Sequence, residues 1–246
     1  MKNAQNISTV LKLKDLKKSF GDNHVLNGFS MELYEGENLV IMGKSGSGKS
    51  VMIKCLVGLT EPDSGTIEIT GKDITQLKQQ ELNALRTEIG FLFQGSALYD
   101  SMTVEENLKF PLRKHNNINK ETDALVLDTL DSVGLKDAIN LMPEELSGGM
   151  KRRVALARAL ILKPKIIIYD EPTTGLDPIT AKEIIQLMRA IQKKYKTSSL
   201  IITHDIDCAR VISNRMILLI DGINYAEGTF KELSMKTDPK IQAFFK

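Results

Sequence analysis

The sequence predicts an α/β fold built on a mostly parallel sheet. Two observations carry that expectation. LVIM at 39–42, IGFLF at 89–93, IIIY at 166–169, SLIIT at 199–203 and MILLI at 216–220 are apolar almost without interruption, as strands buried on both faces must be. Helical patterns separate them along the chain, and that alternation covers a parallel sheet on both sides.

At 246 residues, 42% hydrophobic and 26% charged, the chain suits one large domain, or one domain with an inserted subdomain. A net charge of +2 lacks the basic bias of a nucleic-acid binder, so no nucleic-acid partner is expected. Cys55 and Cys208 stand without CxxC spacing and read as reduced core residues of a cytosolic protein. The opening MKNAQNIST is polar, without the apolar stretch of a secretory signal. No apolar run reaches the roughly eighteen residues of a membrane span. Any membrane role is expected to come through a partner.

The elements follow in order. Leu11, Leu13 and Leu16 alternate roughly with polar residues, and FGDNH then supplies a turn. VLNGFSMELY at 25–34 and TIEIT at 66–70, bounded by Gly and Pro, read as further strands. Between Phe93 and Lys165 the strand pattern stops. TVEENLKFPL, KETDALVLDTLDSVGL and SGGMKRRVALARAL have helical spacing, with Val126, Leu127 and Leu130 on one stripe. The expected organisation is a tail at 1–8 and one domain at 9–246, with a helical subdomain inserted at about 95–164.

GKSGSGKS follows the strand LVIM and precedes the helical VMIKCLVGL. Its residues are Gly43, Lys44, Ser45, Gly46, Ser47, Gly48, Lys49 and Ser50, which fit the phosphate-binding pattern G-x-x-x-x-G-K-[ST]. The glycines let backbone N–H groups turn around phosphate oxygens, and the new helix adds its positive end. Lys49 reaches the β- and γ-phosphates, and Ser50 offers a hydroxyl to Mg²⁺. The expected cofactors are a nucleotide and Mg²⁺. In IIIYDE, the strand delivers Asp170 to hold Mg²⁺ and Glu171 to act as general base on a water. His204 ends the strand SLIIT. The strand ends at Gly43, Asp170 and His204 would meet on one edge of a parallel sheet, which makes His204 a candidate γ-phosphate sensor.

ELSGGMKRR at 145–153 reads as a second phosphate site. Ser147 and the N–H groups of Gly148 and Gly149 open a helix. Lys151, Arg152 and Arg153 fall in its first turn, where cations oppose the helix dipole and an incoming triphosphate would offset the strain.

Taken in order, the P-loop, Gln94, LSGGM, IIIYDE, GLD and His204 resemble the nucleotide-binding subunit of ABC (ATP-binding cassette) transporters, over essentially the whole chain. The resemblance implies a P-loop NTPase core with a mostly parallel sheet, an antiparallel β subdomain and an inserted helical subdomain. It implies a head-to-tail homodimer with two ATPs at the interface, in which Ser147, Gly148 and Gly149 cap the γ-phosphate of the facing subunit. Gln94 then senses Mg²⁺ and couples to an integral-membrane permease, Asp177 lies across the interface, and Phe20 stacks on adenine, with core packing as its alternative. Met150 replaces the usual Gln after LSGG, and Phe20 a commoner Tyr.

Within the family, GSALYDSMTVEENLKFPLR after Gln94, Met150 with the following KRR, and the tail from Asp238 to Phe244 resemble the ATPase of the MCE-linked phospholipid transport system. That implies an MCE-type lipid-binding partner and a place at the cytoplasmic face of the inner membrane, held there by the permease. Residues 95–113 would receive the permease, with Leu98, Tyr99, Met102 and Leu108 as apolar contacts and burial within the subdomain as the alternative for Leu108. The alternatives are ATPases of amino-acid import, lipoprotein release or cell division, and then soluble ABC proteins acting on nucleic acid or ribosomes.

Overall fold

The computed structural model describes residues 8–115 and 120–245. The tail expected at 1–8 lies, apart from Ser8, outside the described residues. The chain divides into two compact units, one made of the residues up to Arg86 with those from Ser198 onward, the other of Thr87–Thr197.

The first unit opens with strands β1 (Thr9–Phe20), β2 (Asn23–Tyr34) and β3 (Asn38–Met42), helix α1 (Lys49–Leu56), strands β4 (Ser64–Ile69) and β5 (Lys72–Asp73), and helix α2 (Gln79–Arg86). β1, β2, β4 and β5 form an antiparallel sheet in the order β2-β1-β4-β5. Leu11, Leu13 and Leu16 are all buried, although the step from Leu13 to Leu16 breaks a period of two. A register shift between those residues and a left-handed Asp15, at φ 50°, absorb the odd residue, as a β-bulge does.

The second unit runs through β6 (Ile89–Leu92), α3 (Val104–Lys109), α4 (Lys120–Ser132), α5 (Gly148–Leu160), β7 (Ile166–Asp170) and α6 (Pro178–Tyr195). Among the described residues no strand lies between β6 and β7, as the sequence led one to expect. Thr103 and Glu106 close a capping box at the start of α3. TVEENLKFPL is not one helix, however: α3 gives way to a 3₁₀ turn at Phe110–His115, because Pro111 has no N–H for the α ladder. In α4, Val126 and Leu130 are buried but Leu127 is exposed. The inward stripe therefore runs through Val126, Leu130 and Val133, spaced four and three apart, and Leu127 lies off it.

The chain then completes the first unit with β8 (Ser198–Thr203), α7 (Ile206–Ile212), β9 (Arg215–Ile220), β10 (Ile223–Gly228), α8 (Phe230–Ser234) and α9 (Pro239–Gln242). The strand order is β10-β9-β3-β8, with β3 parallel to both neighbours and β10 antiparallel to β9. Every residue of β3 and β8 is buried. Arg215 clamps this layer. Its Nε and Nη2 donate to the Glu37 carboxylate at 2.8 and 2.9 Å, Nη1 to Glu227, and Nη2 also to the Glu32 carbonyl at 2.6 Å. The Glu37 carboxylate holds the guanidinium pKa well above its ordinary value. Cys55 and Cys208 are both buried. Among the described residues, no helix is long and apolar enough to cross a membrane.

Candidate functional site

In the first unit, parallel register sets the geometry. Met42 at the end of β3 pairs with Thr203 at the end of β8, so Gly43 and His204 leave neighbouring strands at the same level. Backbone crowding fixes the start of the cradle: a Cβ on Gly43 would fall on the Ser47 hydroxyl and lie 2.9 Å from the Leu219 carbonyl. Gly48, the residue before α1, sits at φ 102°, a conformation that a side chain disfavours. Packing and conformation thus fix glycine at both ends of the loop. Lys49 donates to the carbonyls of Gly43 at 2.6 Å and Lys44 at 3.0 Å, so its ammonium already lies over the loop. Ser50 is exposed in the first turn of α1. A cleft of about 530 Å³ beside the loop is lined in part by His24, Lys44, Ser47, Asp221 and Phe244.

His204 is exposed and held by its neighbours. Asp205 caps α7, accepting from the N–H groups of Asp207 and Cys208, while its own N–H donates to Thr203 Oγ1 at 3.0 Å. Phe20 ends β1 with a 53% exposed ring, which excludes the core-packing alternative. The Lys18 ammonium lies 5.5 Å from its centroid and also pairs with Asp63 at 2.8 Å.

In the second unit, Leu92 pairs with Tyr169 across parallel β6 and β7. Phe93–Gln94 and Asp170–Glu171 therefore emerge side by side. Glu171 is 8% exposed and sits at φ 50°, a strained backbone for a residue with a side chain. Thr174 Oγ1 donates to its Oε2 at 3.1 Å. A serine hydroxyl at 50 and a carboxylate at 170 are each the kind of hard oxygen donor that Mg²⁺ takes, so each residue type suits the cation.

Ser147 is the N-cap of α5, its hydroxyl accepting from the Met150 N–H at 3.2 Å. The two glycines after it differ. A Cβ on Gly149 would lie 2.7 Å from Thr180 Cγ2, whereas one on Gly148 would meet only Leu176 at an ordinary 3.8 Å. Internal packing demands glycine at 149 and not at 148. Asp177 caps α6, taking both the Ile179 and Thr180 N–H groups at 3.0 Å. The Thr180 hydroxyl, first among these bonds, holds its carboxyl below the usual range.

Two expectations need correction. Lys151, Arg152 and Arg153 do not act together as cations facing a phosphate. Arg152 is 4% exposed and donates to the carbonyls of Phe93 and Thr174, and Arg153 is taken by Glu183 and the Val133 carbonyl. Leu108 is fully buried and cannot be a surface contact. Sequence reasoning also missed Asn107, 0% exposed. It locks the chain after Gln94 by accepting from the Tyr99 N–H and donating to the carbonyls of Tyr99, Met102 and Thr103. A polar residue beside Leu108 on the inward side of α3 was the available signal.

Three comparisons bear on this geometry. The family model described as ABC transporter matches residues 26–174. The methionine import ATP-binding protein MetN of Clostridium tetani (strain Massachusetts / E88) is 38% identical over 95% of this chain and 73% of its own length. Protein TRIGALACTOSYLDIACYLGLYCEROL 3, chloroplastic, of Arabidopsis thaliana is 39% identical over 98% of this chain and 74% of its own length. The chain thus spans about three quarters of each relative. Among solved structures, the dimeric structure of MJ0796, a bacterial ABC transporter cassette, superposes with a TM-score of 0.81 at 34% identity, covering 89% of this chain and 98% of that one. A phosphate cradle at the carboxyl end of β3 and an acidic pair at that of β7 thus occur in a chain that belongs to the ABC transporter family, as one of its ATP-hydrolysing cassettes.

Proposed function

We propose that this chain is the motor subunit of an ABC importer, working as a homodimer on an integral-membrane permease, with an amino acid as the cargo class. The methionine-import relative from Clostridium tetani supports that cargo. In this reading ATP lies along Gly43–Ser50 with adenine on Phe20. Lys49 swings from the Gly43 and Lys44 carbonyls to the β- and γ-phosphates. Ser50, Asp170 and Gln94 hold Mg²⁺, which when bound neutralises charge on the phosphate oxygens. Glu171 takes the proton of the attacking water, its carboxylate oriented by the Thr174 hydroxyl. His204 donates to the γ-phosphate, and Ser147, Gly148 and Gly149 with Asp177 face the nucleotide of the second copy.

The observation that carries this reading is the paired register, Met42 with Thr203 and Leu92 with Tyr169. Each pairing brings two of the named groups to a carboxyl strand edge, where ligands of parallel α/β sheets bind. Glycine at 148, which the chain's own packing does not require, fits close approach of a partner's phosphate. Glu171→Gln is expected to keep ATP binding and lose about 10²–10⁴ in turnover, the usual worth of a positioned base. Steady hydrolysis at the wild-type rate would remove Glu171 from this role.

A second cargo reading, phospholipid carried between membranes with an MCE-type partner, has its own support. The Arabidopsis relative, named for a glycolipid, matches over 98% of the chain, and Met150 with Lys151–Arg153 follows LSGG here. Purifying the tagged protein from its native membranes, with mass spectrometry of what accompanies it, separates the two. An amino-acid-binding subunit supports import; an MCE-type subunit carrying phospholipid replaces it.

A further inference from the structure

Among the described residues, Arg152 is a buried cation with no acidic partner. It is 4% exposed, burial alone pushes its pKa down, and its Nε has no hydrogen-bond partner. Burying a guanidinium on these terms carries a desolvation cost that an apolar side chain would not. What the arginine adds is a planar fork. Nη1 donates to the Phe93 carbonyl at 2.8 Å and Nη2 to the Thr174 carbonyl at 3.1 Å. Phe93 immediately precedes Gln94. Thr174 donates its hydroxyl to Glu171 Oε2, and its N–H to the Glu171 carbonyl at 3.3 Å.

We propose that Arg152 is a positioning residue for ATP hydrolysis: it braces the start of α5, just past Ser147–Gly149, against the backbone that aims Gln94 and the turn that aims Glu171. A displacement of α5 then reaches both groups through one rigid side chain. The proposal rests on the roles proposed above for Gln94 and Glu171.

The test uses the full-length purified chain and three variants: Arg152→Met, which keeps length and loses the fork; Arg152→Lys, which keeps the charge but not the two-armed geometry; and Glu171→Gln as control. Single-turnover hydrolysis at saturating ATP is expected to slow at least about tenfold in both Arg152 variants, the scale of a misplaced catalytic group. Their KM for ATP should change less than about twofold, because the phosphate cradle is untouched. Hydrogen exchange is expected to rise at residues 93–97 and 171–175 rather than along α5. If Glu171→Gln is inactive while Arg152→Lys and Arg152→Met turn over at the wild-type rate per folded molecule, the brace is refuted and the catalytic reading survives. If Glu171→Gln hydrolyses normally, the catalytic reading falls first and takes the brace with it. Should Arg152→Met fail to fold, the kcat-to-KM split of Arg152→Lys decides alone.

Discussion

Gly148 and Gly149 look alike in the sequence and do different things in the fold. Adding a methyl at 149 drives it into Thr180 Cγ2 at 2.7 Å, an overpacking expected to lower stability by about 1–3 kcal/mol. At 148 the same methyl meets only Leu176 at 3.8 Å. Gly148→Ala is therefore expected to unfold within about 0.5 kcal/mol of the wild type yet fail to form an ATP-dependent dimer. Thermal unfolding and light scattering check the pair, and a Gly148→Ala chain that dimerises normally would strip that position of its role. The candidate phosphate-site residues could be picked out of the sequence because the P-loop pattern fixes their types and spacing. Arg152 could not, since a cation at a helix start reads as solvent-facing until the Phe93 and Thr174 carbonyls are seen around it.

At the scale of elements, β3, β6, β7, β8 and β9 could be read from continuous apolar runs. β10 could not. INYAEG has no buried residue even when paired with β9, so backbone hydrogen bonds rather than side chains define it. The bulge in β1 left only a weak signal: aspartate is among the non-glycine types that visit the left-handed region, but Asp15 at φ 50° stands in KLKDLKKSF with no glycine or proline to mark a break. The segment after Gln94 depends on α3 through one side chain. Asn107→Leu leaves the Tyr99 N–H and the carbonyls of Tyr99 and Met102 without that partner. A loss of about 2–4 kcal/mol is expected, since each stranded buried group costs on the order of 1–3 kcal/mol. Urea unfolding measures it, and a midpoint equal to wild type would mean that the segment is held by other contacts.

Across the whole molecule, several exposed carboxyls share one electrostatic habit. Asp63 is held below its ordinary value of 3.8 first by the Lys18 ammonium, Asp177 by Thr180 and Asp238 by Tyr225, and Glu232 below 4.5 by the Thr229 N–H. A carboxyl whose folded pKa is depressed adds stability above its unfolded pKa and loses it as pH falls through the folded one. Their contribution should be constant at neutral pH and fade below about pH 4. Urea midpoints followed down the pH scale are expected to fall less steeply in Asp63→Asn and Glu232→Gln; slopes matching wild type would show these carboxyls to be silent.

The internal commitments of Arg152 and Arg153 reach beyond the fold, to ionic strength. With Arg152 on two carbonyls and Arg153 on Glu183 and the Val133 carbonyl, Lys151 is left as a half-exposed cation of that turn. In the proposed dimer the face around Ser147 would offer a nucleotide backbone N–H groups, the start of α5 and that single ammonium. The N–H groups and the helix start are fixed, short-range dipoles, and they share little of the long-range pull of mobile side-chain cations, which dissolved ions screen beyond about 10 Å at 0.1 M. Association of two copies around ATP would then depend more on geometry at contact than on attraction at a distance. The motor would close with an affinity that falls more gently with salt than three facing cations would make it.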